Sequence, residues 1–325
     1  MKPNIAVIMG GYTDESIISL RSGQVVFDHI SKEKYNVYKV HILKEGWNAV
    51  IEDKKFPIDK SDFSCTIEGQ KVTFDAVFNI IHGTPGEDGN IQAYFDIIGI
   101  KHTSCPFYQS ALSFNKKDCL AVMAANGIKT AASYILYAEN PIDHQAIIAK
   151  VGIPCFVKPN KSGSSLGASK VSKKEDLQKA IDFAFSEDDE VIIETFLDGV
   201  EVSVGVIDYQ GKTKVLGITE IVTDNEFFDY EAKYEGKSQE ITPARLTPEV
   251  EQKVREVAQK AFEVIKMKGL SRSEYIIVNG EPHFIEMNTN PGMSMQSILP
   301  QQAKIAGIAL EDLFEDMLQK ALNSK

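Results

Sequence analysis

Glu286 and Asn288 stand two residues apart in the stretch FIEMNTNPGM, residues 284–293. His283, Phe284 and Ile285 predict a short strand, and along an extended backbone the Glu286 carboxylate and the Asn288 amide then point to one side. That pair suits a hard divalent cation such as Mg²⁺; a polar strand end turning into a loop reads the same way. Pro291 and Gly292 end the strand and let a backbone N–H approach something closely. Upstream, SRSEYII (271–277) predicts a second strand with Arg272 and Glu274 on one side. Asn279-Gly280 predicts the tight turn of a hairpin joining the two strands, which brings Glu274 near Glu286 and Asn288. Three oxygen donors on adjacent strands are a more specific signal than any one of them.

A second group of residues suits phosphate. Phe156-Val157-Lys158-Pro159 sets one lysine among apolar neighbours, which is costly unless the amine meets an anion. Lys161-Ser162-Gly163-Ser164-Ser165-Leu166-Gly167 follows at once, a loop whose N–H groups can wrap a triphosphate, although a Gly/Ser hairpin turn has the same composition. It lacks the spacing of a Walker A loop. The run 191–197 predicts a strand ending at Asp198-Gly199, an edge able to offer backbone groups to an adenine and Glu201 to ribose hydroxyls; a plain strand is the other reading. FFDYEAKY (227–234), followed by Glu235-Gly236-Lys237, has the composition of a lid that closes over a ligand, or of a surface loop with buried aromatics. HGTPGEDG (82–89) marks a loop at a strand end, where open α/β sheets place ligands. Taken locally, His82 reads better as a stabiliser of that loop than as a substrate contact.

The elements that must carry these groups read as α/β. Residues 5–9 form a continuous apolar run stopped by Gly10-Gly11, as in a buried parallel strand. The full GxGxxG spacing is absent, which argues against Rossmann-type dinucleotide binding. Thr13, Asp14 or Ser16 is placed to cap a helix with Ile17, Ile18, Val25, Val26 and Ile30 as its apolar positions. Strands follow at 35–43 and 76–81, with a polar, loop-like region between them. A helix over 117–126 stops at Gly127. Ser172 with Glu175 predicts a capping box opening a helix that buries Leu177, Ile181, Ala184 and Phe185. Residues 201–206 alternate as a strand, and Thr247-Pro248 opens a helix closed by Gly269, with Val250, Val254, Val257, Ala261 and Ile265 on one face.

Composition excludes several classes. At 325 residues the chain is long enough for two or three domains, and 43% hydrophobic with 25% charged residues is ordinary for a soluble globular protein. A net charge of −11 argues for no nucleic acid and no anionic membrane as partner, while a few concentrated lysines still permit ATP. Cys65, Cys105, Cys119 and Cys155 are scattered, the pattern of reduced thiols in a cytoplasmic protein. Residues 5–9 are too short for a signal peptide, and no stretch reaches membrane-spanning length.

With lysine, Gly/Ser loop, lid and acidic hairpin in this order, the chain resembles the ATP-grasp superfamily, and within it the D-alanine–D-alanine ligases. The likeness runs over nearly the whole sequence: Gly10-Gly11 with Glu15 and Ser19, then HGTPGEDG, SALSFNK, FVKPNKSGSSLG, FFDYEAKY, SRSEY and EMNTNPGM. It implies an α/β, three-domain ATP-grasp fold: an N-terminal parallel α/β domain over 1–105, a central subdomain over 106–198 and a C-terminal subdomain over 199–325. It further implies ATP held by Lys116, Lys158 and Lys233 at the phosphates, covered by the loop of Ser162, Gly163, Ser165 and Gly167. Glu194, Phe196, Leu197 and Glu201 would hold the nucleoside, with Ile276 and Ile285 completing the adenine contacts. Glu274, Glu286 and Asn288 would bind two Mg²⁺ ions, Mn²⁺ being an alternative.

For the amino-acid substrates the resemblance implies two molecules of D-alanine. Glu15 would receive the ammonium of the first, with His82 beside its carboxylate; Ser297 and Ile298 would meet the carboxylate of the second. Arg272 and the Gly292 N–H would stabilise the oxyanion, and Tyr234 would act through Ser164 on Glu15. A homodimer is also implied. Glu274 departs from the aspartate of many family members, a longer arm for the same carboxylate. Ligases that join D-alanine to D-lactate or D-serine are the nearest alternative, and a non-catalytic nucleotide-binding relative is a more distant one.

Overall fold

The computed structural model describes residues 2–223 and 238–324. The first sheet contains β1 (Asn4–Gly10), β2 (Asn36–Leu43), β3 (Gly46–Ile51), β4 (Lys54–Asp59), β5 (Ser64–Ile67), β6 (Gln70–Val72), β7 (Ala76–Asn79) and β8 (Lys101–His102), in the order β6-β5-β4-β3-β2-β1-β7-β8. Its β2-β1-β7-β8 half is parallel and β2 to β6 are antiparallel. β1 is central and covered on both faces, which is why Ile5 to Met9 are apolar without alternation.

The second sheet contains β9 (Ser133–Tyr137), β10 (Cys155–Pro159), β11 (Ser169–Val171) and β12 (Glu190–Thr195), in the order β11-β10-β12-β9 and wholly antiparallel. The third contains β13 (Val200–Tyr209), β14 (Lys212–Thr223), β15 (Ser238–Ile241), β16 (Leu270–Val278) and β17 (Glu281–Asn288), in the order β15-β14-β13-β16-β17. The C-terminal helix Leu310–Asn323 returns to the first sheet, where Phe314 meets Phe78 edge-on at 5.3 Å between ring centroids. The first and third sheets therefore share one hydrophobic core.

Four local expectations are corrected. The polar region between the second and third expected strands is not a loop but β3 to β6. Two of its three hairpins turn at Glu52-Asp53 and Glu68-Gly69, all at positive φ (46°, 65°, 50° and 81°), so the first carries no glycine to betray it. The helix Ser16–His29 has no side-chain cap, Glu15 standing at its N-cap position. It buries Ser19, Ser22, Gly23 and Val26; Val26 and, just past its end, Ile30 enter the apolar core as expected, but Ile17 is 59% exposed, because the first turns of the inner face hold strand ends through Ser19. The Ser172–Glu175 box does not form: a 3₁₀ turn over Lys174–Asp176 leads into the helix Leu177–Phe185. The helix opened by Thr247 ends at Val264, well before Gly269. Lys266 turns left-handed (φ 53°) there, and Met267 N–H returns to the Phe262 carbonyl at 3.0 Å.

Candidate active site

The hairpin of β16 and β17 turns through Asn279 and Gly280, both left-handed (φ 52° and 75°), as the Asn-Gly pair requires. Its register sets Glu274 opposite Glu286 and Arg272 opposite Asn288. The register shifts at Glu274/Tyr275, a bulge that makes Ile285 the extra residue of β17. Consecutive side chains on a regular strand point to opposite faces; here Ile285 and Glu286 both line the cleft, while Phe284 and Met287 are buried in the core. The bulge thus sets an apolar wall and an acidic ligand side by side.

Like charges directly opposite on a sheet repel unless cations intervene. Arg272 Nε donates to Glu274 Oε1 at 2.8 Å, Ser203 Oγ from β13 donates to the same oxygen at 3.3 Å, and Lys116 Nζ approaches Glu286 Oε2 at 3.4 Å. Asn288 Oδ1 accepts from Asn290 N–H at 2.8 Å, which fixes the amide and leaves its second lone pair. Two carboxylates and an amide oxygen are a hard donor set and fit Mg²⁺.

The cleft, about 490 Å³, lies between the second and third sheets. That volume is in the range of small-molecule sites. It gathers Lys116, Lys158, Ser162, Gly163, Ser164, Ser165, Glu194, Phe196, Leu197, Glu201, Arg272, Glu274, Ile276, Ile285 and Glu286. Lys158, at the end of β10, is buried and pairs with Glu194 Oε2 at 2.5 Å. Burial alone would push its pKa down, but Glu194 and Glu286 overcome that and raise it, so the amine is charged. Glu194 Oε1 is buried with no hydrogen-bond partner among the described residues, an acceptor suited to a donor such as an exocyclic amine.

The Gly/Ser loop folds over the mouth of this cleft. Ser164 and Ser165 are both left-handed (φ 51° and 59°), a costly conformation that persists where its surroundings enforce it. Lys116 Nζ donates to the Ser162 carbonyl at 2.6 Å, and Ser164 Oγ donates to Glu15 Oε1. A Cβ at Gly163 would lie 2.7 Å from Glu15 Oε2, so a larger residue there would displace that carboxylate. Gly167 faces away from the cleft, against Pro159 and Glu187, and closes the loop instead of lining it.

Glu15 sits outside the cleft proper, between this loop and the His82 loop. His82 is buried, with Nδ1 2.7 Å from the Asn290 carbonyl and Nε2 3.2 Å from Ser22 Oγ. The carbonyl requires a proton on Nδ1, so Nε2 accepts from Ser22; burial lowers the His82 pKa and keeps this neutral form. Both ring nitrogens are thus engaged within the protein, matching the stabilising reading of His82 better than a direct carboxylate contact. Ser22 Oγ in turn accepts from Met293 N–H at 3.1 Å. Glu87 accepts from Gly83 N–H at 2.6 Å and Asn290 N–H at 3.3 Å, and burial with Glu15 nearby pushes its pKa up to about 8. Gly292 stands beside Ser297, where a Cβ would be 2.9 Å from Ser297 Oγ, and Ile298 opens the helix Ile298–Ile305 from a buried position.

Ser22, Glu87, Asn160, Ser203 and Asn290 escaped sequence reasoning. Ser22 alone stood at a position that helix periodicity assigns to the interior; Glu87, Asn160 and Asn290 lie in loops, and Ser203 alternates with the valines of its strand, so no local pattern marked them as buried. Lys233 and Tyr234, and the lid stretch as a whole, lie outside the described residues.

The three sheets with a cleft between the second and third make the ATP-grasp fold, and solved structures agree on it. D-alanyl-alanine synthetase A from Vibrio cholerae superposes with a TM-score of 0.90 at 26% identity, covering 99% of each chain. The VanG D-Ala:D-Ser ligase from Enterococcus faecalis superposes with a TM-score of 0.87 at 29% identity, covering 98% of this chain and 99% of that one. The family models described as D-ala D-ala ligase N-terminus and C-terminus match residues 4–105 and 122–319. Among curated relatives, the D-alanine–D-alanine ligase of Flavobacterium johnsoniae is 61% identical over 98% of this chain and 99% of its own length. That of Christiangramia forsetii is 55% identical over 100% of both. The chain belongs to the D-alanine–D-alanine ligase family.

Proposed function

We propose that this chain joins two D-alanines into D-alanyl-D-alanine with conversion of ATP to ADP and phosphate, in the cytoplasm, for peptidoglycan precursor synthesis. The observation that carries this is the opposition of Glu274, Glu286 and Arg272 on the hairpin to Lys116 and Lys158 across one cleft. The domains we assign, 1–105, 106–198 and 199–325, each enclose one of the three sheets. A homodimer is part of the proposal.

In this reading the adenine lies between Ile276, Ile285 and Phe196, with Glu194 Oε1 accepting its amine and the Leu197 backbone beside it. Glu201 takes the ribose. Lys116, Lys158 and Lys233 meet the phosphates under the Ser162–Ser165 turn. Mg²⁺, or Mn²⁺, held by Glu274, Glu286 and Asn288 would neutralise charge on the transferring phosphoryl group. Glu15 receives the first D-alanine's ammonium, and His82, locked by Ser22 and Asn290, shapes the wall near its carboxylate. Ser297 and Ile298 receive the second D-alanine's carboxylate.

A carboxylate is a poor acylating agent. One oxygen of the first D-alanine's carboxylate takes the γ-phosphoryl group and ADP leaves. The second D-alanine's amine then attacks the carbonyl carbon, and Arg272 with the Gly292 N–H stabilises the oxyanion, about 3–4 kcal/mol per donor in comparable sites. Phosphate leaves with the former carboxylate oxygen, and the amine loses its proton. A closed cover keeps water from the acyl phosphate. The test is D-alanine labelled with ¹⁸O in its carboxylate: one labelled oxygen must appear in the released phosphate. Phosphate free of label excludes this chemistry.

A further inference from the structure

Two of the proposed phosphate lysines have a lysine close by in sequence, Lys117 beside Lys116 and Lys161 after Lys158. The neighbours do not line the cleft. Both are held by Glu190: Lys117 Nζ at 2.8 Å from Oε2 and Lys161 Nζ at 3.2 Å from Oε1. Lys161 N–H also donates to Asp188 Oδ2 at 2.6 Å.

Between the two lysine pairs sits Asn160, fully buried. Its backbone N–H donates to the Glu190 carbonyl at 2.9 Å, and its carbonyl accepts from Lys116 N–H at 3.3 Å. Its side-chain Oδ1 accepts from Lys117 N–H at 2.8 Å, while Nδ2 donates to Asn115 Oδ1 at 2.9 Å and Glu190 Oε2 at 3.1 Å. Asn115 in turn caps the helix Lys116–Ala125 through Asp118 N–H. One amide therefore ties three things together: the first turn of the helix that carries Lys116, the strand end that carries Lys158, and the start of the Gly/Ser loop.

We infer that Asn160, with Glu190 behind it, is a positioning residue that sets the register of Lys116 and the Gly/Ser loop relative to Lys158, and so tunes affinity for the nucleotide's phosphates and not for its adenosine. The inference rests on the proposed phosphate roles of Lys116 and Lys158. Alanine at 160 removes the amide that holds Lys117 N–H, Asn115 and Glu190, freeing the helix start from the strand end. The nucleoside groups, Phe196, Leu197 and Glu201, are not among its partners.

The experiment is calorimetric titration of the full chain with AMP, ADP and ATP, for wild type, Asn160→Ala, Asn115→Ala and Lys158→Ala. The fitted stoichiometry reports the binding-competent fraction, so partial misfolding of Asn160→Ala does not enter its Kd; Asn115→Ala loosens the same node from its more exposed side. Expected for Asn160→Ala is an ATP Kd about tenfold higher, equivalent to 1.4 kcal/mol, a smaller rise for ADP and an AMP Kd unchanged within about twofold. Asn115→Ala shifts the same way by less. Equal losses for AMP and ATP, or no loss in either node variant while Lys158→Ala weakens ATP, overturn the inference alone. An ATP affinity untouched by Lys158→Ala removes the phosphate reading, and the inference with it.

Discussion

Arg272→Lys separates charge from shape at the reacting centre. In the structure Arg272 is largely buried on β16, opposite Asn288, and its Nε donates to Glu274 Oε1 at 2.8 Å. A guanidinium can serve Glu274 through Nε and an oxyanion through its terminal nitrogens at once, because its donors are fixed in a planar fork. Lysine offers a single nitrogen on a differently shaped arm, and the nearby Glu274 carboxylate captures it. The oxyanion then loses one donor, about 3–4 kcal/mol, and kcat falls roughly 10²–10³-fold. Glu274 keeps a cation beside it, so the nucleotide side of the cleft is preserved and ATP affinity changes by less than about twofold. Steady-state phosphate release with saturating D-alanine gives kcat, and titration with ATP gives affinity. A kcat within about fivefold of wild type, or an ATP affinity that falls as far as kcat, refutes the reasoning and makes Arg272 a structural partner of Glu274.

Glu286→Gln removes a metal-facing charge from a partly exposed position, so turnover falls about 10²-fold or more at saturating Mg²⁺ while the melting temperature stays within about 2 °C; near-normal activity rejects the metal role. Gly205→Ala is expected to lower stability by about 1–3 kcal/mol in denaturant unfolding, because the new Cβ would lie 2.4 Å from Gln302 Oε1, which accepts from Gly205 N–H inside the core. Tyr234→Phe, outside the described residues, removes a hydroxyl from the expected network through Ser164 to Glu15. Product analysis is expected to show less peptide and more D-lactate incorporation, most visibly at acidic pH, where the competing amine is protonated; an unchanged product ratio rejects that role.

The site was more legible in the sequence than the scaffold. Asn279-Gly280 admits one kind of turn, so the hairpin and the meeting of Glu274 with Glu286 followed from residue types alone. The one-residue bulge at Ile285 did not, since it depends on packing of Phe284 and Met287 into the core, which local alternation does not encode. Residues 46–72 hid their strands because left-handed Glu52 and Asp53 make a turn with none of the usual glycine. In the helix Ser16–His29, Val26 enters the core as its spacing predicts, but Ile17 faces outward because the first turns of the inner face hold strand ends: Ser19 Oγ accepts from Gly10 N–H at 2.8 Å and donates to the Ile80 carbonyl at 2.8 Å. For His82 the local sequence favoured a loop-stabilising role and the resemblance a place beside the substrate carboxylate; its partners, Ser22 and Asn290, come from the first and last thirds of the chain and no local pattern joins them.

The central claim is met most directly by mass-spectrometric product analysis, with phosphate release, when D-alanine, L-alanine, D-serine and D-lactate are supplied in turn with ATP and Mg²⁺. The account predicts one D-alanyl-D-alanine per phosphate released with D-alanine, and background release with L-alanine alone. With D-alanine present, it predicts little mixed product from D-serine or D-lactate at neutral pH. Phosphate release that does not depend on D-alanine, or a dominant depsipeptide or D-alanyl-D-serine product, contradicts it.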